Sequence, residues 1–288
     1  MGILRVVNMN TPLCNSLIGL LLMTCFSSPL WAGEIARDIR IGTGPEMEQA
    51  DGGYADLGFG IEASTGPKIK GSESGDVGIT VVLNMGYQWR GYFVEALSDS
   101  QHGLVFGYNV LNTKNWTLDF VFGPENDEIT EEDYDELAPL RDRYVDLTAG
   151  IRATGYFGHS IIQLQLRNEI LTNLHNGYSA SLTMGRSWQV RNANLHALIN
   201  YRHLSSDVVN YYFGVSNLEA NTEFPQYTAS SADSFSAEIG LTYPINETWI
   251  VRSKLSAIHI DEDISASPLM HPNERNAILS TITLNYVF

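Results

Sequence analysis

The chain reads as an all-β protein, a transmembrane antiparallel β-barrel of about twelve strands with short periplasmic turns and longer extracellular loops. Three observations predict it. Twelve segments alternate apolar with polar residues, the connections between them are short at every second junction, and the final segment, Leu284-Asn285-Tyr286-Val287-Phe288, ends on an aromatic residue. Successive side chains of a strand point to opposite faces, so one face can meet lipid and the other a polar lumen. Hydrophobic residues make up 44% of the chain and charged ones only 17%. Yet no run beyond the N-terminal segment approaches the roughly 20 apolar residues of a helical span. A barrel reconciles the two, because lipid-facing residues at alternate positions leave average hydropathy near neutral.

Residues 1–32 carry Arg5, an apolar core from Leu17 to Phe26 and Ala32 before Gly33, the layout of a secretory signal peptide. A lipoprotein cut before Cys25 is the alternative, with Thr24 where a smaller residue is normally needed. Cys14 and Cys25 both fall in this segment, so the chain after it offers no thiol for a disulfide, a metal or a nucleophile. Residues 33–52 are polar without alternation and read as a periplasmic tail; residues 53–288 are the barrel.

The strands are expected at 53–62, 76–88, 91–98, 103–111, 115–123, 144–154, 159–171, 177–188, 194–204, 234–243, 247–259 and 277–288, near the roughly 9–11 residues a tilted strand needs. In the fifth, Trp116, Leu118, Phe120 and Phe122 oppose Thr117 and Asp119; in the seventh, Ile162, Leu164, Leu166 and Ile170 oppose Gln163, Gln165, Arg167 and Glu169. In the last, Ile278, Ile282, Leu284, Tyr286 and Phe288 oppose Thr281, Thr283 and Asn285. A soluble sandwich would show the same alternation in any one segment, but it has no reason to sort its loops by parity. Here Gln88 to Arg90, Leu111 to Lys114, Gly155 to Gly158, Gln189 to Ala193 and Pro244 to Asn246 are short, whereas 63–75, 124–143, 205–233 and 260–276 are long. The outer junctions 99–102 and 172–176 are exceptions. Tyr54, Tyr87, Trp89, Trp116, Tyr144, Tyr178, Trp188, Tyr243, Trp249 and Tyr286 lie near strand ends, where amphipathic rings form interfacial girdles. Tyr286 and Phe288 are expected to form the signal for the barrel-assembly machinery.

A formal net charge of −16 excludes a phosphate-binding role toward nucleic acid and a basic peripheral membrane binder. The register turns Asp56, Glu62, Glu95, Asp119, Asp146, Arg152, Arg167, Glu169, Arg202, Glu238, Arg252 and Lys254 inward. Opposite charges in a narrow lumen should pair, because an unpaired buried charge is costly. They form either a plugged interior or the lining of a pore for small polar or cationic solutes. The acidic interval 124–137, with Glu125, Asp127 and Glu128 among its carboxylates, reads as a solvated loop; divalent cations bridging lipopolysaccharide are a second reading. The loop 205–233 is rich in aromatics, Tyr211, Tyr212, Phe213, Phe224 and Tyr227, and should fold over or into the barrel mouth, with Gly214 and Pro225 at its turns. An equal alternative extends the ninth strand through Tyr211 to Val215 as a hairpin. For catalysis only His159-Ser160 and His203 with Ser205 offer a Ser/His pairing, and Asp261-Glu262-Asp263 lacks the spacing of a calcium loop. The chain is therefore read as non-enzymatic, without catalytic, cofactor or metal residues.

Five pieces together resemble one family. They are Gly71-Ser72; Gly107-Tyr108-Asn109; Tyr211-Tyr212-Phe213-Gly214-Val215-Ser216 with Glu219-Ala220; Tyr227-Thr228-Ala229; and Ala266-Ser267-Pro268-Leu269. On them the chain is similar to the MipA/OmpV family, the MltA-interacting outer-membrane proteins, over nearly all of its length after the signal segment. Ile69-Lys70 stands where the family commonly has an aromatic before the first Gly-Ser. The resemblance implies a non-enzymatic outer-membrane barrel, in some members a scaffold joining a murein transglycosylase to a murein synthase, in others linked to adhesion. Outer-membrane lipid and lipopolysaccharide are the surroundings it implies.

Overall fold

The computed structural model describes residues 51–71, 77–97, 103–130, 134–272 and 274–288. Residues 1–32, expected to be a signal peptide, and the expected tail up to residue 50 lie outside them. Twelve antiparallel strands close into a barrel. They are β1 (Gly52–Thr65), β2 (Val77–Trp89), β3 (Tyr92–Leu97), β4 (Leu104–Asn112), β5 (Trp116–Pro124), β6 (Leu147–Phe157), β7 (Ser160–Glu169), β8 (Tyr178–Val190), β9 (Ala193–Leu204), β10 (Ala232–Pro244), β11 (Trp249–His259) and β12 (Asn276–Val287). The ring shuts where β1 pairs β12, from Asp56 opposite Val287 to Thr65 opposite Ile278. Closure satisfies every strand edge, which a span through hydrocarbon requires. No helix among the described residues is long and apolar enough to cross a membrane.

The alternation sorts as a lipid-facing barrel demands, and it is inverted from a soluble protein. Phe59, Ile79, Phe120, Ile199, Ile239 and Ile282 are each more than half exposed, while Asn84, Thr117, Asp119, Arg167, Ser234 and Asn285 are almost wholly buried. The short connections at residues 90–91, 113–115, 158–159, 191–192 and 245–248 share one rim. That rim carries the ring pairs Trp116–Phe157 at 5.7 Å, Trp249–Tyr286 at 5.1 Å and Tyr286–Phe288 at 4.9 Å.

The largest boundary difference from the sequence reading is in β6. It begins at Leu147, and Tyr144 lies in the loop before it. The reason is tertiary, because the Arg143 backbone pairs with Ile129 of its own loop and the Tyr144 N–H and carbonyl are bonded by Tyr211 and Tyr212 of the loop after β9. The segment after β9 also differs from a hairpin extension: Ser206–Phe213 forms helix α1, and Glu262–Ser265 forms a single turn, α2. Val208, Val209, Tyr211 and Tyr212 fall on one side of α1 and are buried, the spacing of an amphipathic helix.

Candidate functional site: a charge-paired lumen beneath a loop cap

The interior is built from three ionic groups. At the closing seam, Asp56 of β1 receives both guanidinium ends of Arg252 from β11 at 2.5 and 3.1 Å, and the amides of Asn84 at 3.3 Å and Asn285 at 3.1 Å. Gly58 stands opposite Asn285, where a Cβ would lie 2.7 Å from the Asn285 amide atoms; the glycine leaves room for that amide to turn inward. In the second group Arg152 donates to Asp119 and to Glu95, each at 3.0 Å, and lies over the Phe93 ring. In the third, Arg202 donates to Glu125 at 3.1 Å, Arg167 lies 3.8 Å from the same carboxylate, and Ser179 donates to it as well. His196 faces Glu238 at 3.1 Å, and Ser256 donates to the other Glu238 oxygen at 3.0 Å. Lys254 and Glu62 flank Thr281 across β11, β12 and β1, both half-buried.

Glu125 is the residue the sequence reading missed. It belongs to the acidic interval expected to be solvated, yet the chain after β5 turns inward and its carboxylate bridges β7 and β9. The available signal was an excess of inward arginines over inward carboxylates on β6 to β9. Two expected lumen charges are placed elsewhere. Glu169, at the end of β7, caps the following turn by accepting from the N–H groups of Leu174, His175 and Asn176. Asp146 precedes β6, where it holds Asn126 by backbone and side chain at 2.9 Å and faces His175 Nε2 at 3.1 Å. Of the residues considered for catalysis, His203 Nδ1 faces Asp233 at 2.8 Å and Ser205 Oγ accepts from the Tyr178 N–H at 3.0 Å, so the two are committed to different partners.

Above the lumen the long loops share one apolar core. It joins Ile129, Leu137 and Leu140 with Val208, Val209, Tyr211, Tyr212, Val215 and Phe224, and with Ile260, Ile264, Leu269 and Met270. The Tyr-Tyr-x-Gly-Val-Ser to Glu-Ala stretch is its polar clasp. The Tyr144 N–H donates to the Tyr211 hydroxyl at 2.9 Å, and the Tyr212 hydroxyl donates to the Tyr144 carbonyl at 3.0 Å. Arg143, almost fully buried, donates to the Gly214 carbonyl at 2.9 Å, to the Arg141 carbonyl and to Glu219 at 3.4 Å. Glu219 also accepts from Ser216, backbone and hydroxyl. Gly214 has an ordinary negative φ, and its role is close approach, since a Cβ there would lie 2.4 Å from the Asn210 carbonyl oxygen. The last long loop, between β11 and β12, joins through Ser267, which donates to the Phe213 carbonyl at 2.6 Å, and the Tyr227 hydroxyl donates to the Asp263 carbonyl at 2.8 Å. The first loop joins by the bridge Ile69 to Met270 and by Lys70, 5.0 Å from the Phe224 ring centre.

The clasp carries its own pH limit. Burial pushes the Asp146 carboxyl up, but hydrogen bonds from His175 and from the Asn126 backbone and amide outweigh it and leave it below the usual carboxylate range. Glu219 is likewise lowered, burial being outweighed by Ser216, Arg141 and Arg143. A carboxylate depressed in the folded state contributes stability above its unfolded value, about 4, and loses it as pH falls through the folded value. Pepsin cleavage of the cap at Tyr212 or Phe224, taken relative to cleavage of the same chain unfolded at each pH to remove the protease's own pH profile, is therefore expected to stay slow at pH 5 and to rise below about pH 4. A folded-to-unfolded cleavage ratio identical at pH 5 and about pH 2.5 would contradict this. Burial and the nearby Asp146 charge push the Tyr212 phenol up, so it remains a donor throughout this range.

The family model described as MltA-interacting protein MipA matches residues 57–288. The chain belongs to that family. Two curated relatives of this MipA-family chain are outer-membrane proteins of Vibrio. Omp26La of Vibrio anguillarum is 24% identical over 50% of this chain and 56% of its own length. OmpV of Vibrio cholerae is 27% identical over 49% of this chain and 54% of its own length. The match thus spans about half the length of either relative. Among solved structures, a bacterial polysaccharide outer membrane secretin aligns at 8% identity and a TM-score of 0.42, over 81% of this chain and 98% of that one. The COG4313 outer membrane channel from Pseudomonas putida F1 aligns at 10% and 0.39, over 83% and 96%. Likeness at that level has no bearing on function, and the barrel assignment stands on the strand ladder itself. The MipA-family chain is an outer-membrane protein, and three of the five pieces that carried the resemblance, at 211–220, 227–229 and 266–269, converge on its cap, while Gly107-Tyr108-Asn109 lies within β4.

Proposed function

We propose that this MipA-family barrel is a non-enzymatic, non-conducting scaffold of the outer membrane that organises murein-synthesis and murein-lysis partners. The observation that carries the closed reading is the coincidence of two seals: inward arginines paired to Asp56, Asp119, Glu95 and Glu125, and a shared apolar core drawn from the long loops above them. The family's description, an MltA-interacting protein, supports a murein transglycosylase as the partner. The separate commitments of His203 and Ser205 support a non-enzymatic reading. Reconstituted in a planar bilayer, the barrel is expected to give no discrete conductance steps. Immobilised in native detergent, it is expected to retain a murein transglycosylase from envelope extract. Discrete steps from the wild-type barrel would replace this reading by a pore for small polar or cationic solutes. Turnover of phospholipid or lipid A abolished by His203→Ala would replace it by an envelope hydrolase.

A further inference from the structure

The chain carries 33 acidic and 17 basic residues, and the described arginines of the lumen and cap are matched to acids. Arg143, Arg152, Arg167, Arg202, Arg252 and Arg275 each lie within ion-pair distance of a carboxylate. The short-turn rim is different. Arg90 follows β2, Lys114 lies between β4 and β5, Arg186 points outward near the end of β8, and Arg191 follows β8. All four are exposed. Among the described residues none of them makes an ion pair. Among the described residues the acidic side chains sharing this rim are Asp51 and Glu247, and the Asp51 carboxylate is occupied by the Arg90 backbone N–H at 2.6 Å.

Two of these bases sit where the backbone disfavours them. Arg90 has φ 51° and Arg191 φ 55°, in tight turns whose left-handed positions favour Gly, Asn or Asp. A long cationic side chain held at such a position points to something it reaches. The rim also holds every described tryptophan, Trp89, Trp116, Trp188 and Trp249. The Arg90 guanidinium lies 4.9 Å from the Trp89 ring centre and that of Arg186 lies 5.8 Å from Trp188. An indole at the headgroup level with a guanidinium beside it fits a lipid phosphate, which accepts from the planar fork while the ring rests on glycerol and acyl chain.

We infer that the periplasmic rim, through Arg90, Lys114, Arg186 and Arg191, binds the phosphate headgroups of anionic phospholipid in the facing leaflet. This does not rest on the closed-lumen reading and holds whether or not the barrel conducts. It would draw the basic turns to the anionic leaflet by charge.

The rim tryptophans are the probe. The barrel, with Trp31→Phe so that the rim indoles alone emit, is placed in nanodiscs mixing unlabelled lipid with dibrominated phosphatidylglycerol or dibrominated phosphatidylcholine. Quenching in low salt is expected to show at least about a threefold preference for the anionic lipid over the zwitterionic one, and to lose it in about 1 M salt. The variant R90Q/K114Q/R186Q/R191Q should quench equally with both lipids. The pair Arg90→Gly and Arg191→Asn suits the left-handed turns, so it should fold at least as well as wild type by heat-modifiable gel mobility, yet lose part of the preference. Equal quenching of the wild type by both lipids would overturn the inference. So would a preference that survives in the quadruple variant, which would put the contact elsewhere, or salt-dependent retention on murein sacculi without any lipid preference.

Discussion

Replacing Arg143 by Ala is expected to open the cap while leaving the barrel closed. The guanidinium is the point where residues 141–144 meet the segment 214–219, and it is almost fully buried. Its loss strands the Gly214 and Arg141 carbonyls and removes a cation from Glu219. Breaking a buried charge-assisted group costs about 3 kcal/mol, on the order of a hundredfold in local opening. Protease cleavage at Tyr212 or Phe224 in the folded, heat-modifiable barrel should accelerate by that order. Arg143→Lys keeps the charge but not the fork, and should fall between the two. Cleavage unchanged in Arg143→Ala would show that the apolar core alone holds the cap.

The second large effect is expected at the seam. Asp56 takes four donated hydrogen bonds from three strands, and its partner Arg252 is separated from it by 196 positions in the chain. Asp56→Ala leaves a guanidinium and two amides facing an interior with no acceptor, a loss of about 3–5 kcal/mol. The urea midpoint of the heat-modifiable band should fall accordingly, and because these residues line the β1–β12 junction, assembly yield should fall with it. Combining Asp56→Ala with Arg252→Met removes the orphaned charge and should recover most of the loss. A double variant no better than the single one would mean that Asp56 acts through the shape of the seam rather than through its charge.

The strands, their facing and the parity of their connections were legible because each is a local property. A period of two in fifth-strand Trp116 to Phe122 needs no partner to be recognised, and a turn such as Arg90-Gly91 declares itself by its neighbours. Inward direction was equally legible for Asp56, Glu95, Asp119, Arg152, Arg167, Arg202, Glu238 and Arg252, since the pleat alone assigns it. The family-like loop residues Tyr211, Tyr212, Gly214, Glu219 and Tyr227 were visible as a group, but their arrangement was not.

What the sequence by itself determined is therefore an outer-membrane barrel with a polar interior, because lipid on one side and closed hydrogen-bonded edges on the other leave few solutions for alternating strands. Only the tertiary structure decided who meets whom. Glu125 looked solvated until the chain beyond β5 turned into the lumen and met Arg202, 77 positions away. Glu169 pointed inward by register yet was claimed by the N–H groups of its own turn, which lie nearer than any arginine. Ser206 to Phe213 became a helix because Tyr211 and Tyr212 hydrogen-bond the backbone of Tyr144 across the mouth. The pairings of Glu125 with Arg202 and of Tyr211 and Tyr212 with Tyr144 depend on register around the whole ring and on loops closing over long separations, and no short window of sequence contains both partners; the Glu169 turn is local, but only the folded backbone aims its N–H groups at the carboxylate.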